Sequence, residues 1–253
     1  MALLEVTDLT VRFGGVVALD RVSFVVNAGE VVALIGPNGA GKTTLFNVVA
    51  RVYRPGAGSV MLDGEPVLQM PAHQVVRHGL ARTFQNLALF RSMTVLENVL
   101  VGDHINIRSS FLGASVPLPD TLKAEATARK RAMDMLEFVG LTQLASHPVA
   151  ALPFGVQKRV EMARALVSKP RLVMLDEPAG GISHEEVADM ARLVRRIHSE
   201  LGTTVLLVEH NMGFVMGISD RVVVLDFGRK IAEGTPAEVQ GNPAVIEAYL
   251  GAA

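Results

Sequence analysis

The sequence predicts an α/β protein: a mainly parallel sheet, with a small β portion ahead of it and a helical segment inserted in its middle. Three observations carry that prediction. Short continuous apolar runs, VVALI, LVML, TVLLV and VVVL, recur along the chain, which is how strands buried on both faces of a parallel sheet read. Stretches of helical period lie between them. Residues 3 to 35 instead pack several β-like runs and turns into a short space.

The elements follow in order. LLEVTDL, VRF and RVSFVV are short β-like runs, with turns at Gly14-Gly15 and Ala28-Gly29. VVALI breaks at GPNGAGKTT and enters a helix from Lys42 to about Val49. RPGAGS and LDGEP read as turns, and ARTF as a short run ending at Gln85. Residues 94 to 167 are mostly helical: TVLENVLVG opens the region, and Leu122 to Val139 carries apolar positions near the 3.6 period at Leu122, Ala126, Met133 and Leu136. Between them RSSFLGASVPLPD, rich in Ser, Gly and Pro, is expected to be a loop. A helix is expected from Gly155 to about Val167. Strand, helix and strand then recur. Ser183 and Glu186 have the spacing of a capping box, with Val187, Met190, Ala191 and Val194 on one face behind it. No internal repeat is evident.

Composition narrows the function classes. A chain of 253 residues suffices for one domain or a core with an attached subdomain. Net charge is −1, so a broad basic field for nucleic acid or anionic lipid is not expected. With no cysteine, disulfides, thiolate catalysis and cysteine-held zinc are excluded. Mean hydropathy is +0.34, yet every apolar run is far shorter than the roughly 18 residues of a membrane span. MALLEVTDLT has no basic region ahead of an apolar stretch, so a signal peptide is not expected. The expectation is a chain in the cytosol, docked on a membrane protein.

Two stretches carry chemistry on their own. Gly36-Pro-Asn-Gly-Ala-Gly-Lys-Thr43 has the phosphate-binding loop pattern, a strand before it and a helix after. Its glycines turn successive N–H groups onto phosphates, and the helix that follows presents its positive end. Lys42 should reach the β and γ phosphates and the Thr43 hydroxyl should bind Mg²⁺. Leu172-Val-Met-Leu-Asp176-Glu177 delivers two carboxylates at a strand's C-terminal end, where open α/β sheets bind ligands. There Asp176 can hold Mg²⁺ and Glu177 can polarise an attacking water. Gln85 and His210 carry little alone, since a lone histidine is more often structural than catalytic. Their order gives them weight: phosphate loop, Gln85, the Gly155 helix, Asp176-Glu177, then His210 after TVLLV.

That order resembles the ATP-binding subunits of ABC transporters over essentially the whole chain. GPNGAGKTT is similar to their Walker A motif, Gln85 to the Q-loop, LVMLDEP to Walker B with its glutamate, EPAGGIS to the D-loop and VEHNM to the H-loop. Phe13 in VRFGG stands where the family places an aromatic against adenine. The resemblance implies a P-loop NTPase core with an N-terminal antiparallel β subdomain and an inserted helical subdomain. The implied extents are 1–85 for β subdomain and core, 86–167 for the helical subdomain, 168–234 for further core and 235–253 for a helical tail. It also implies ATP and Mg²⁺ as cofactors. Phe13, Gly36, Asn38, Gly39, Ala40, Gly41, Lys42, Thr43 and Thr44 would bind nucleotide; Thr43, Gln85 and Asp176 would bind the metal; Glu177, His210, Lys42 and Gln85 would act in hydrolysis. TFQNLALFRSMTVLENV, the insertion after VGDH, GISDRVVVLDFGRKIAEGTP and NPAVIEAYLG look most like the larger ATP-binding subunit of branched-chain amino acid importers.

LPFGV, residues 152–156, then falls where the family carries its LSGGQ signature, which reads the γ-phosphate held by the opposite subunit. Pro153 replaces the serine, Phe154 the first glycine and Val156 the glutamine, while Gly155 remains. Proline is tolerated at a helix start because its missing N–H would be unpaired there. A lost hydrogen bond costs about 1 kcal/mol, or about 1.5–3 kcal/mol to a charged acceptor. The expectation is an attenuated signature that still offers Gly155 in trans. Implied partners are a second ABC ATP-binding subunit, two membrane permeases and, indirectly, an extracytoplasmic substrate-binding protein, with no nucleic acid. The implied location is the cytoplasmic face of the inner membrane. Urea, amide or lipopolysaccharide transport, a non-transport ABC ATPase and a weakly hydrolysing nucleotide switch stay open alternatives. Ser183, where the D-loop usually has Asp or Asn, is left between a helix cap and a role in the other active site.

Overall fold

The computed structural model describes residues 1–85, 87–106 and 119–250. Most of the expected loop RSSFLGASVPLPD, and with it the insertion after VGDH, lies outside the described residues. The described chain forms two compact units, residues 1–82 with 171–253, and residues 83–170.

The first unit runs β1 (Ala2–Phe13), β2 (Val16–Asn27), β3 (Val31–Ile35), α1 (Lys42–Val49), β4 (Ala57–Leu62), β5 (Glu65–Pro66), α2 (Ala72–Val75) and β6 (Leu80–Arg82). The second holds α3 (Val95–Gly102), α4 (Pro119–Phe138) and α5 (Phe154–Leu166). The first then resumes with β7 (Leu172–Asp176), α6 (His184–Leu201), β8 (Thr204–Val208), α7 (Met212–Ile218), β9 (Arg221–Asp226), β10 (Arg229–Gly234), α8 (Pro236–Gln240) and α9 (Pro243–Leu250).

Two sheets organise the first unit. One is antiparallel, ordered β2-β1-β4-β5, and the other is ordered β10-β9-β3-β8-β7-β6. In the larger sheet every pairing is parallel except β9 with β10. All five residues of β3, of β7 and of β8 are buried, as their apolar runs require, and Asp176 and Thr204 are buried with them. Full burial of each such Val or Leu contributes roughly 1.5–3 kcal/mol, and the core of the unit is mainly aliphatic, with Phe24 and Phe46 buried in it. Because β3, β7 and β8 run parallel, the residues following Ile35, Asp176 and Val208 leave the sheet at the same end.

Three local expectations are corrected. LLEVTDL and VRF form one strand, β1, because irregular pairing between Val6 and Leu9 absorbs Asp8, at φ +47°. Arg21 of β2 is also at positive φ, and Ser23 Oγ accepts the Asp8 N–H at 2.8 Å. The chain coils through a bulge and does not turn back. RPGAGS is only half turn, since β4 begins at Ala57; there Gly58, at φ +92°, lies under the Thr7 and Asp8 carbonyls where a Cβ would come within 2.6 Å. ARTF pairs only as far as Arg82, whose partner is Met174, because the Phe84 N–H donates to Glu161.

In the second unit the expected face of α4 is corrected in part. Leu136 is buried as expected and Met133 is half-buried, but Leu122 and Ala126 are exposed, and the rest of the buried stripe is Ala128, Ala132 and Met135, with Val139 just beyond. Arg131 fixes the rotation: its Nη2 meets Asp103 Oδ2 at 2.6 Å, with that carboxylate buried, and the two alanines permit close approach. Thr94 caps α3 in a capping box with Glu97. Helices α3 and α5 touch at Gly102, where a Cβ would stand 2.0 Å from the Arg164 carbonyl oxygen. Gly102→Ala is therefore expected to destabilise the chain by about 1–3 kcal/mol through overpacking; an unchanged midpoint in urea would show that the two backbones can move apart.

Candidate functional site

Between β3 and α1 the chain makes a turn that only glycine permits at its ends. Gly36 sits at φ +151° with the Leu225 carbonyl oxygen 2.1 Å from where a Cβ would be, and Gly41, at φ +100°, has Ala18 O at 2.5 Å. The loop thus threads between β9 and β2. Gly41 also serves as the N-cap of α1 without a side-chain bond, so the first-turn N–H groups of that helix lack intrahelical partners and face an incoming anion.

Lys42 is buried, and its Nζ donates to the carbonyl oxygens of Gly36 at 2.7 Å and Pro37 at 2.8 Å. The ammonium is folded onto its own loop. Burial holds its pKa below the ordinary lysine value, while the negative charge of Glu177 acts in the opposite sense. That electrostatic link joins the phosphate loop to the end of β7.

At that end the two adjacent carboxylates part company. Asp176 is buried and its Oδ2 accepts from Arg82 Nη2 at 2.9 Å. Arg82 also donates to Asn47 Oδ1 at 2.7 Å and stands 5.6 Å from the Phe46 ring centre. One guanidinium therefore ties α1, β6 and β7 together beneath the loop, a role sequence reasoning missed although Arg82 lies three residues before Gln85. Glu177 is at φ +49°, sparsely populated ground for a residue other than glycine. Its N–H donates to Val208 O at 2.9 Å and its carbonyl accepts from the Gly180 N–H at 3.1 Å.

His210 lies two residues beyond β8, and its Nε2 is 2.9 Å from Glu177 Oε1. Because a carboxylate oxygen only accepts, the proton of this bond is on Nε2. Glu177 is thus held by a histidine on one side and biased toward Lys42 on the other. The Thr43 side chain is exposed beside Lys42. The Thr43 hydroxyl and Asp176 carboxylate are oxygen donors of the kind a Mg²⁺ ion takes when phosphates and water complete its shell. Among the described residues no three His, Asp or Glu side chains make a cage that would hold a metal without such help.

Phe13 ends β1, 48% exposed, with its ring 5.3 Å from that of Tyr53 in an edge-to-face arrangement. Tyr53 escaped the sequence reading because 40 residues separate the pair. A second aromatic just past the Lys42 helix was the available signal.

Gln85 and Gly155 belong to the second unit. Gln85 is exposed, within the stretch between Phe84 and Ala88 whose two N–H groups each donate to Glu161 Oε1 at 3.3 Å. Burial raises the Glu161 pKa, opposed by those N–H groups of Ala88 and Phe84 and by Arg164 and Lys158. Glu161 lies on α5, so one buried carboxylate fastens the Gln85 segment to the helix that carries Gly155. That helix begins one residue earlier than expected, at Phe154, with Pro153 as N-cap and no side-chain cap bond. Phe154 is exposed beneath Lys158 Nζ, 5.4 Å from its ring centre. Ser183 caps α6 in a capping box with Glu186, so its hydroxyl serves that helix.

Residues 19–180 match the family described as ABC transporter, and residues 229–253 match the branched-chain amino acid ATP-binding cassette transporter family. The chain is 45% identical over 251 residues to the high-affinity branched-chain amino acid transport ATP-binding protein BraF of Pseudomonas aeruginosa, covering 99% of this chain and 98% of that one. It is 42% identical, with the same coverage, to LivG of Escherichia coli K12, described in the same words. Among solved structures, a nucleotide-free ATP-binding cassette from an ABC transporter is 33% identical with a TM-score of 0.85, covering 98% of this chain and 99% of that one. The ADP conformation of the cassette MJ1267 is 33% identical with a TM-score of 0.86 and covers 99% of each chain.

Proposed function

Because the chain belongs to the ABC transporter family of ATP-binding subunits, we propose that it drives import of branched-chain or other hydrophobic amino acids. As an ABC ATPase it binds and hydrolyses ATP. The observation that carries the mechanism is the convergence on Glu177: His210 holds its carboxylate at 2.9 Å and its charge acts on Lys42.

The N–H groups of Gly36 and of Asn38 to Thr44 cradle the phosphates, and Phe13, braced by Tyr53, stacks on adenine. Lys42 leaves the Gly36 and Pro37 carbonyls for the β and γ phosphates, exchanging two neutral acceptors for charged ones. Mg²⁺, when bound, neutralises phosphate charge; the Thr43 hydroxyl and the Asp176 carboxylate would hold it. Glu177 takes a proton from the attacking water, with His210 fixing the orientation of its carboxylate. Gly155 of a second cassette completes the site through its N–H and its helix end.

Two cassettes would close on two nucleotides and work a pair of permease subunits at the cytoplasmic face of the inner membrane, fed by an extracytoplasmic binding protein. Among the described residues no helix is long and apolar enough to cross a membrane. The cargo is supported by the near full-length likeness to BraF and LivG, including the C-terminal match. Deleting the chain from its cell should abolish high-affinity uptake of labelled leucine, isoleucine and valine, and restoring it should recover all three. Unchanged uptake of these, with loss of urea, amide or lipopolysaccharide transport, would overturn the cargo assignment.

A further inference from the structure

Glu209 lies between Val208, the end of β8, and His210, and only 2% of it is exposed. Its Oε1 accepts the Ala179 N–H at 2.6 Å; its Oε2 accepts the N–H groups of His210 at 2.9 Å and Asn211 at 3.2 Å. Ala179 lies two residues past Glu177, inside the turn closed by the Gly180 N–H on the Glu177 carbonyl. The carboxylate thus grips the backbone beside both members of the Glu177–His210 pair, which are 33 residues apart in sequence. Three N–H donors satisfy a buried charge that would otherwise be costly. Glu177 at φ +49° needs such a surrounding, because a strained backbone persists only where its neighbours over-determine it.

We propose that Glu209 is a positioning residue for ATP hydrolysis, acting through Ala179 and His210 to hold the Glu177 carboxylate where it can take a proton from water. The inference rests on the mechanism proposed above. Both oxygens are required, because each serves a different loop. Glutamine offers one acceptor, so Glu209→Gln retains one loop and turns an NH2 donor on the N–H groups of the other. The carboxylate also joins the turn after Glu177, part of the stretch that resembles a D-loop, to the histidine loop. A change in either is felt by the other without a long path.

The test compares ATPase kinetics of the wild type, Glu209→Gln, His210→Ala, Glu177→Gln and the double variant Glu209→Gln/His210→Ala, each assembled with its partner subunits. Glu209→Gln should lower kcat about ten- to a hundredfold and leave KM for ATP within about twofold. The double variant should be no more than about twofold slower than His210→Ala alone, since both act on one arrangement. A wild-type kcat in Glu209→Gln, or losses that multiply in the double variant, would overturn the proposal. If Glu177→Gln and His210→Ala retain full rates, the mechanism itself fails, an outcome distinct from failure of Glu209 alone. Amide exchange in the wild-type full chain tests the contact even if the variant does not fold: Ala179, His210 and Asn211 should be protected together. Exchange of Ala179 at the rate of an open loop would refute the bracket.

Discussion

Glu177→Gln is expected to cut ATP turnover by about 10²–10⁴ while sparing ATP binding. Glutamine keeps an oxygen that can accept from His210 Nε2, where the wild-type distance is 2.9 Å, and the backbone bond from residue 177 to Val208 does not involve the side chain. What is lost is the basic group. The loop amides, the Thr43 hydroxyl and the Lys42 ammonium are untouched, so nucleotide should still be held and the two cassettes should still close on it. A kinetic split follows, with kcat falling and the ATP dissociation constant nearly constant. Single-turnover hydrolysis together with equilibrium binding of labelled ATP separates these quantities. A normal rate would show that Glu177 is not the base, and a parallel collapse of affinity would assign it to nucleotide binding instead.

The parts of this site legible in the sequence are those whose chemistry needs neighbouring residues. A loop that turns successive N–H groups onto phosphate must be contiguous, so Gly36 to Thr43 could be read directly. Asp176 and Glu177 could be read because a buried strand ends on them. VVALI, LVML and TVLLV announced the larger sheet for the same reason, and the Ser183–Glu186 cap is local by nature. What escaped depends on convergence. Arg82 has significance only when Asn47 and Asp176 are brought to it, and Glu209 only when Ala179 arrives from 30 residues away. Beside His210, in VEHNM, Glu209 reads as an ordinary polar neighbour. The same logic explains the errors of fold. LLEVTDL and VRF read as separate runs because the strand partner that accommodates the positive φ of Asp8 is out of view. The face of α4 could not be chosen by period alone, since Arg131 had to find Asp103 first.

Lys42→Met should separate function from stability by moving them in opposite directions. In the mechanism proposed above the ammonium leaves the Gly36 and Pro37 carbonyls for the β and γ phosphates, and removing one charge-stabilising donor of this kind costs about 10²–10³ in kcat. ATP affinity should fall with it, because the charge is also used in the ground state. The fold should gain. Burial lowers the Lys42 pKa below 10.5, with Glu177 opposing, so the folded protein holds the charged form at a cost wherever pH lies below the lowered value. Between that value and 10.5 the unfolded chain carries the extra proton, and wild-type stability rises with pH. Methionine fills similar space without the charge. The variant should therefore unfold at higher urea than wild type at neutral pH, by a margin that narrows as pH approaches 10.5. Urea midpoints of the nucleotide-free proteins, taken across that range, measure the margin. A variant less stable than wild type at neutral pH would mean that the bonds to Gly36 and Pro37 outweigh the burial of the ammonium, and that this lysine holds its loop together as well as its nucleotide.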